Sequence, residues 1–403
     1  MPIRKRTWKN ADGSESTVFI ADIRDGNGHR ERRQFDTRSE AETFRIATEG
    51  KMQTGTFRAA ASKFTVKDAA KRFLTHCDGR RERGERMTKK NYKTMDGHIG
   101  NYICRDSKRH EGKVRPKRLK EFDSGIGGIR LSNLTTGSVV KFRDSLREAG
   151  VGIVTARKIL STLRQILNYA VGHDMVAVNV AIGVEVVGRH DEGARKIVPP
   201  TKDAMRALLG VADADFKVKL SFACATGVRA GELHALRWRH INFVKGEVTI
   251  EARVDTYRDE DVTKTAAGMR TIPLSQVLIV SLKEWKLRTA RSKDNDLVFP
   301  NKLGSYTGHD NMIKRKFLPL FDTLAENYRQ DPTQHPEPPA PFNWHALRHF
   351  AVSCWIEAGL SPKTVQTFAG HSSLQVTMDR YGHLFKSDDH KRAMDAIAAD
   401  MLG

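Results

Sequence analysis

The sequence has few cysteines and no long apolar run, and these two absences exclude several kinds of protein. The four cysteines have neither the paired spacing of a zinc site nor that of a disulfide framework, so we expect reduced thiols at Cys77, Cys104, Cys224 and Cys354. No apolar stretch approaches the ~20 residues of a membrane span, and the basic start from Met1 to Arg6 lacks the apolar core of a signal peptide. These features predict a cytoplasmic protein with no membrane partner.

The sequence also lacks the G-x-x-x-x-G-K-[ST] motif of a phosphate-binding loop. Gly26 and Gly28 lie close together, but position 31 is Glu and the sequence around them does not match this motif. We therefore interpret them as turn glycines. The chain therefore has no motif for ATP, and we expect chemistry that needs no nucleotide cofactor.

What the sequence does have is positive charge. Lys and Arg number 69 against 48 Asp and Glu, which gives a formal net charge of +21 that is spread along the chain and not gathered in a tail. A polyanion is the natural partner of such a chain, and nucleic acid fits better than a membrane surface. At 403 residues the chain is too long for one ordinary core, and its 39% hydrophobic content is enough for two or three domains.

The first 58 residues predict a small sheet followed by a helix. Alternating apolar residues from Thr17 to Ile23, a glycine turn and the segment from His29 to Phe35 are typical of a β-hairpin, and Ser39 can begin a helix. Three arginines along its edge are candidate DNA contacts, with a solvated basic hairpin as the alternative: Arg30, Arg32 and Arg33. The small, polar stretch from Thr54 to Ser62 then reads as a linker.

The middle of the chain predicts a helical domain over residues 63–185. Helices are expected after the capping residue Thr65, from Lys89 to Ile103, after Thr136, and from Thr155 to Ala170. The last of these has apolar residues at the spacing of a buried stripe: Ile159, Leu163, Ile166, Leu167 and Ala170. Glycines, charges and two prolines between Glu185 and Pro200 predict a second linker before a domain over 198–403.

The last domain carries histidines, an arginine and a tyrosine on a series of short predicted helices. Asn343 can cap a helix that carries His345, Arg348 and His349 and stops at Gly359. Ser361 and Pro362 can begin a second helix that ends at Gly370, just before His371, and Ser372 or Ser373 a third that carries Tyr381. One imidazole is thus expected at a helix start, another in an interhelix corner, and a phenol on the following helix. A lone His or Tyr would be an ordinary core or surface residue, but this combination is hard to obtain from packing alone.

The strings TGVRAGEL at 226–233, HALRH at 345–349 and the Gly370–His371–Ser372 to Tyr381–Gly382–His383 segment resemble the tyrosine recombinases, and among them the phage-type integrases. The resemblance implies a multidomain, mainly α fold with small β-sheets: an arm-type DNA-binding domain (1–58), a helical core-binding domain (63–185) and a mixed α/β, mostly α, catalytic domain (198–403). It also implies a homotetramer on double-stranded DNA with core and arm sites, and an accessory DNA-bending or excision factor as a further partner.

The resemblance implies six catalytic residues: Arg229, Lys264, His345, Arg348, His371 and Tyr381. Tyr381 corresponds to the family's nucleophile, which cuts a phosphodiester and holds the strand as a 3′-phosphotyrosyl linkage, and Lys264 corresponds to the acid for the 5′-oxygen, although Lys245 lies nearby. Two planar guanidinium groups suit the non-bridging phosphate oxygens, whose charge grows in the transition state. We assign Glu232 and His349 to supporting roles.

A metal centre is an alternative hypothesis for the same residues, and the sequence favours it less. His345 and His349 are four apart, as two zinc ligands can be, but position 346 is Ala and not the Glu of a zinc protease, and Arg348 would repel a cation.

Three functional hypotheses follow from the sequence: an integrase that inserts or excises a phage or genomic island, an inactive DNA-binding accessory protein, and a type IB topoisomerase-like enzyme. A final helix with a Met394, Ile397 and Met401 stripe is expected to pack on a neighbouring copy or on its own domain.

Overall fold

A computed structural model describes residues 3–24, 30–53, 57–85, 87–105, 122, 124–188, 197–262, 268–385 and 389–402. The chain forms two compact units, Met1–Arg195 and Lys196–Gly403, and the boundary between them lies in the predicted second linker. The expected division of the first unit at residues 58–63 stays a prediction. No helix among the described residues has the length and apolar content required to cross a bilayer.

The first unit begins with a three-stranded antiparallel sheet. Strand β1 (Ile3–Lys9) pairs with β2 (Glu15–Arg24), and β2 pairs with β3 (Arg30–Phe35) before helix α1 (Arg38–Gln53). The hairpin and its helix are confirmed, but β1 was missed because its run of charged residues shows no apolar alternation. The strand is an exposed edge, where Lys and Arg discourage pairing with another chain.

Four α-helices follow among the described residues of the first unit, close to the predicted positions. They are α2 (Val66–Glu82), α3 (Lys89–His98, continued by a π turn to Ile103), α4 (Thr136–Glu148) and α5 (Ile153–Gly172). Thr65 caps α2 in a reciprocal capping box with Asp68, as expected, whereas Thr135 and not Thr136 caps α4. Every residue of the predicted stripe on α5 is at most 1% exposed, and burial of each large aliphatic side chain contributes roughly 1.5–3 kcal/mol.

The second unit places helices around a small antiparallel sheet. In chain order, its elements are α6 (Lys202–Val211), α7 (Ala214–Thr226), α8 (Ala230–Ala235), β4 (Ile241–Asn242), β5 (Glu247–Ile250), β6 (Ala252–Val254), β7 (Glu260–Val262), β8 (Arg270–Pro273), α9 (Gln276–Arg288), α10 (His309–Met312) and α11 (Leu318–Gln330). Strands β4, β5 and β8 form one sheet, in which Val248 pairs with Ile272, and β6 and β7 form a ribbon. Residues 247–254 are thus divided between two sheets.

The C-terminal helices begin and end close to the predicted capping residues and glycines. They are α12 (Ala346–Glu357), α13 (Pro362–Ala369), α14 (Leu374–Tyr381) and α15 (Asp389–Leu402). Ser361 caps α13 and Ser373 caps α14, whereas α12 begins two residues later than a cap at Asn343 would place it. The stripe on α15 is exposed: Met394 by 65%, Ile397 by 52% and Met401 by 76%.

Lys219 on α7 is a lysine buried in the core of this unit. It is 6% exposed, and its ammonium group lies 5.6 Å from the centre of the Phe299 ring. Two other basic groups, His234 and His309, lie near it, and no ion pair to a carboxylate is found for it within the described ranges. Burial lowers the pKa of Lys219 to about 7, because the low-dielectric core disfavours the charged form.

We predict that Lys219→Met stabilises the second unit. Between the folded pKa of about 7 and the unfolded pKa of about 10.4, the unfolded chain binds more protons at this position than the folded chain does, so Lys219 destabilises the fold increasingly as pH falls through this range. This penalty is largest below the folded pKa and fades as pH rises from 7 towards 10. At pH 7 the substitution should raise the free energy of unfolding by on the order of 2 kcal/mol, with a smaller gain at pH 9.

Urea unfolding at the two pH values measures this difference. Lys217→Met on the exposed face of the same helix is the control, and it should leave the stability nearly unchanged. A Lys219→Met chain no more stable than the wild type at pH 7 would contradict the prediction.

Candidate active site

Two glycine corners bring separate helices of the second unit together. Gly227 ends α7 with φ +58°, and a Cβ there would lie 3.1 Å from side-chain atoms of Ala351 and Trp355 on α12. Gly370 ends α13 with φ +63° and turns the chain into α14. Both positions need the left-handed backbone that glycine adopts without strain, and at Gly227 a Cβ would also be in tight contact with α12. The two glycines that end α7 and α13 therefore also determine how α7, α12 and α13 pack together.

Three arginines converge on three successive carbonyl groups at the end of α13. Arg270 Nε donates to the carbonyl of Phe368 at 2.7 Å, and Arg229 Nη2 donates to that of Gly370 at 2.7 Å. Between them, Arg348 Nη2 donates to the carbonyl of Ala369. The last carbonyls of a helix have no partners within the helix and carry the negative end of its dipole, so they attract cations. Arginines from three distant parts of the sequence are thereby held side by side.

Glu232 is the carboxylate of this cluster. Its side chain accepts from Arg229 Nη1 at 2.8 Å and from Arg270 Nη2 at 2.7 Å, and it caps α8 by accepting from the Arg229 backbone N–H at 2.9 Å. Burial alone would raise the pKa of Glu232, but the hydrogen bonds and charge of Arg270, together with Arg229, lower that pKa to about 2. Glu232 is therefore ionised at neutral pH and orients two arginines at once, which fits the supporting role that we assigned to it.

The two predicted phosphate ligands differ in exposure. The side chain of Arg229 is 42% exposed, so its guanidinium can reach a ligand in solution while Glu232 and Gly370 hold its inner face. Arg348 is 3% exposed and also donates from Nη1 to the carbonyl of Gly227 at 2.8 Å. Burial and the nearby charge of Arg229 lower the pKa of Arg348 to about 9, which leaves it protonated at neutral pH.

The phenol of Tyr381 lies against His349. The distance from His349 Nδ1 to Tyr381 Oη is 2.6 Å, and the tyrosine ring has no exposed surface. Burial raises the pKa of Tyr381, although the charges of Arg348 and Arg380 act in the opposite direction. Desolvation, followed by the charges of His345, Arg348 and Arg380, lowers the pKa of His349 to about 4. The pair is therefore a neutral phenol beside a neutral imidazole.

The other two histidines adjoin this pair without bonding to the phenol oxygen. His345 meets the ring of His349 edge-on, with 4.8 Å between the ring centroids, and desolvation and Arg348 lower its pKa. His371 lies parallel to the ring of Tyr381 at 6.0 Å, and its Nδ1 bonds to Thr377 Oγ1 at 2.9 Å. Its other nitrogen, Nε2, is buried without a described partner, and desolvation lowers the pKa of the ring to about 3.

The site suits an anion. Three guanidinium groups and one carboxylate leave two net positive charges when the histidines are neutral, and the guanidinium fork matches the oxygens of a phosphate. Such a site combines a hydroxyl nucleophile with cations that stabilise a charged phosphoryl transition state. No three His, Cys, Asp or Glu side chains group as metal ligands in the described part of the chain.

The structure thus brings together seven of the predicted residues: Arg229, Glu232, His345, Arg348, His349, His371 and Tyr381. Lys264 lies outside the described residues. On the sheet of the first unit, Arg30 pairs with Asp22, Arg33 stacks over Phe44 at 5.1 Å, and Arg32 is exposed.

Sequence reasoning missed Arg270. It shares the buried face of β8 with Ile272, in the alternation buried, exposed, buried, exposed. An arginine at an inward position of a strand is costly unless it is paired, and this signal could have identified it.

Comparisons with known proteins agree with this geometry. The model of the phage integrase family matches residues 201–388. A tyrosine recombinase XerC-like protein of Caldanaerobacter subterraneus subsp. tengcongensis is 25% identical over 289 residues, which cover 65% of this chain and 70% of that protein. The ICEBs1 integrase of Bacillus subtilis is 24% identical over 271 residues, with the same two coverages of 65% and 70%.

Solved structures show the same fold. A Tn1549 transposon integrase fragment in complex with circular intermediate DNA aligns with a TM-score of 0.55 and 17% identity, over 76% of this chain and 99% of that one. A lambda integrase tetramer bound to a Holliday junction aligns with a TM-score of 0.51 and 16% identity, over 92% and 94%. Residues 201–388 therefore match the phage integrase family, and the chain is similar to site-specific recombinases of the tyrosine type over 65% of its length.

Proposed function

We propose that this enzyme integrates and excises a mobile DNA element, a prophage or a genomic island, by breaking and rejoining DNA at specific sites. The observation that carries the chemistry is the buried phenol of Tyr381, which lies against a neutral imidazole and feels the charges of Arg348 and Arg380. Relatives that are integrases of mobile elements support the biological role. The enzyme would act where the host DNA lies, in the cytoplasm, with its positive charge attracting the duplex.

The proposed reaction is a transesterification. Tyr381 Oη attacks phosphorus and loses its proton, while the bond from phosphorus to the 5′-oxygen breaks and that oxygen takes up a proton from an acid. Lys264 is the acid that the family resemblance suggests. Arg229 and Arg348 stabilise the charge on the non-bridging oxygens, and Glu232 keeps Arg229 in place. Attack by a new 5′-hydroxyl on the phosphotyrosyl bond reverses the step without added energy.

Tyr381 is fully buried in the free chain, so phosphate cannot reach it in this arrangement. We therefore expect DNA binding to move α14 or its neighbours and expose Oη to the scissile phosphate. Arg348 would at the same time exchange its bond to Ala369 for a phosphate oxygen, whereas Arg229 already has exposed surface for this contact.

We predict that Tyr381→Phe abolishes covalent joining to DNA and preserves DNA binding. The substitution removes only the attacking oxygen and keeps the arginines and the net charge. Arg229→Ala keeps the nucleophile but should slow covalent joining by about 10²–10³-fold, as loss of one preorganised donor does in other enzymes.

The test uses a nicked duplex that carries the junction sequence of the element's own attachment site, from which the 5′-hydroxyl fragment diffuses away. Covalent protein then accumulates and is counted on a denaturing gel. Tyr328→Phe on α11 is the matched control and should trap DNA like the wild type. Covalent complex with Tyr381→Phe would refute the assignment. Relaxation of plasmids without strand exchange between two sites would favour a topoisomerase instead.

We also propose that residues 1–58 bind a second class of DNA site through the basic face of their sheet. On the face that carries Arg32 of β3, strand β1 exposes Arg4 and Arg6, which the sheet register places on the same side. Because Asp22 already pairs with Arg30, Arg32 is better placed than Arg30 to contact phosphate.

The double substitution Arg6→Ala and Arg32→Ala should weaken binding to DNA that flanks the cleavage site. Each lost phosphate contact lowers the slope of log K against log salt by about 0.9, so a decrease of about 2 is expected. Filter binding over a salt series measures the slope, and covalent trapping on the short nicked duplex should stay unchanged. Arg329→Ala on α11, which removes one positive charge from the second unit, is the control. An unaltered salt slope would exclude this face as a DNA contact.

A homotetramer on DNA is the proposed assembly, with α15 packing on the catalytic unit of a neighbouring copy. The exposed residues Met394, Ile397 and Met401 recur at helical spacing and need an apolar partner. Folding of α15 onto its own unit is the alternative outcome.

Replacing all three stripe residues by Ser should reduce complexes that contain two DNA sites at least tenfold, because each loses a buried apolar contact. Gel-shift titration counts these complexes, and single-site binding should stay unchanged. Leu287→Ser, which changes an exposed apolar residue of α9, is the control. Unaltered two-site assembly by the triple variant would show that α15 does not join the copies.

A further inference from the structure

The phenol oxygen of Tyr381 has one hydrogen-bond partner among the described residues, and that partner is His349. The two residues lie on different helices, α12 and α14, yet Nδ1 and Oη are 2.6 Å apart. The ring centroids are 5.7 Å apart and the ring planes are tilted by 54°. A contact this short places the imidazole nitrogen where the phenol proton has to leave.

The other histidines do not have this geometry. The ring of His371 is parallel to that of Tyr381, and its Nδ1 is already bonded to Thr377 Oγ1. The ring of His345 contacts His349 and not the phenol. Both remain available for the phosphate, and the buried, unpaired Nε2 of His371 is suited to donate to a phosphate oxygen once α14 moves.

We propose that His349 is a further catalytic residue, the general base whose Nδ1 takes the proton of Tyr381 as Oη bonds to phosphorus. The proposal rests on the proposed transesterification and gives its proton a destination. As the O–P bond forms, the O–H bond of the tyrosine breaks and the imidazole becomes an imidazolium. In rejoining, the imidazolium returns the proton to the leaving phenol oxygen. The acid that protonates the 5′-oxygen is a separate group.

The charges around His349 fit this role. His345 and Arg348 on its own helix, with Arg380 on α14, keep the free imidazole neutral, and its pKa is about 4. A neutral imidazole can accept a proton, and the proposed role requires the tautomer in which Nδ1 is unprotonated and the hydrogen lies on Nε2. A phosphate that enters the site brings negative charge, which offsets these cations and stabilises the imidazolium as it forms. The proton moves only during attack, because bonding to phosphorus makes the phenol oxygen far more acidic.

The decisive variant is His349→Asn in the full chain. The Asn amide oxygen can accept the phenol hydrogen bond near the position of Nδ1 but cannot take the proton. We expect covalent trapping to slow by about 10²–10⁴-fold in single turnover, with DNA affinity and melting temperature unchanged. A second variant, His349→Ala, should recover part of its rate when imidazole is added.

Two further readouts separate a base from an acid and from a positioning role. On DNA with a 5′-bridging sulfur at the scissile bond, the thiolate leaves without a proton, so a lost acid is rescued but a lost base is not. The variant should also speed up steadily as pH rises from about 6 to 9, because hydroxide then ionises the phenol, whereas the wild-type rate should stay flat. His383, on the Gly382–Leu384 turn next to α12, is the exposed control, and His383→Gln should behave like the wild type.

Each outcome decides the proposal. A His349→Asn rate within about threefold of the wild type overturns it, as does rescue by the bridging sulfur or a pH-independent loss. If the wild type forms no covalent complex, or Tyr381→Phe still forms one, the proposed function itself fails. If the wild type traps DNA, Tyr381→Phe does not, and His349→Asn traps at the wild-type rate, only the assignment of the base is wrong.

Discussion

The carboxyl end of α13 is the constraint on which the site depends. Phe368, Ala369 and Gly370 present three free carbonyls in succession, and each binds a different arginine. Three guanidinium groups held this close repel one another, and the repulsion is strong where water is excluded. The helix dipole and the buried Glu232 offset it, so that the cations remain together without a ligand. His371 follows directly, which ties its position to the same helix end.

This arrangement keeps positive charge in the site and keeps the histidines and Tyr381 neutral. The arginines cannot lose their protons at neutral pH, whereas every imidazole in the site has a lowered pKa because burial and the arginines disfavour a further charge. An incoming phosphate therefore meets fixed cations and unprotonated imidazoles that can accept a proton. The same charges act on Tyr381 in the opposite sense to burial, so the nucleophile stays protonated until a phosphate is present.

Much of the fold was predictable because its signals are local. The caps Thr65, Ser361 and Ser373 and the left-handed glycines Gly227 and Gly370 depend on neighbours within a few residues. The buried stripe of α5 depends only on helical spacing. Strand β1 was missed because a charged edge strand takes its conformation from pairing with β2, which no local pattern records. The division of residues 247–254 between two sheets likewise depends on pairing with strands further along the chain.

The sequence by itself determined which residue types the site contains, since the strings around Arg229, Arg348, His371 and Tyr381 carry their own helix starts and corners. Only the tertiary structure decided which groups touch. Arg270 joins the cluster because β8 passes beside α8 and α13, 38 residues along the chain from Glu232. His349 meets Tyr381 across 32 residues because α12 and α14 pack together. A hydrogen bond between distant residues depends on ångström-scale packing of several elements, whereas a cap or a periodic stripe depends only on its neighbours in the chain.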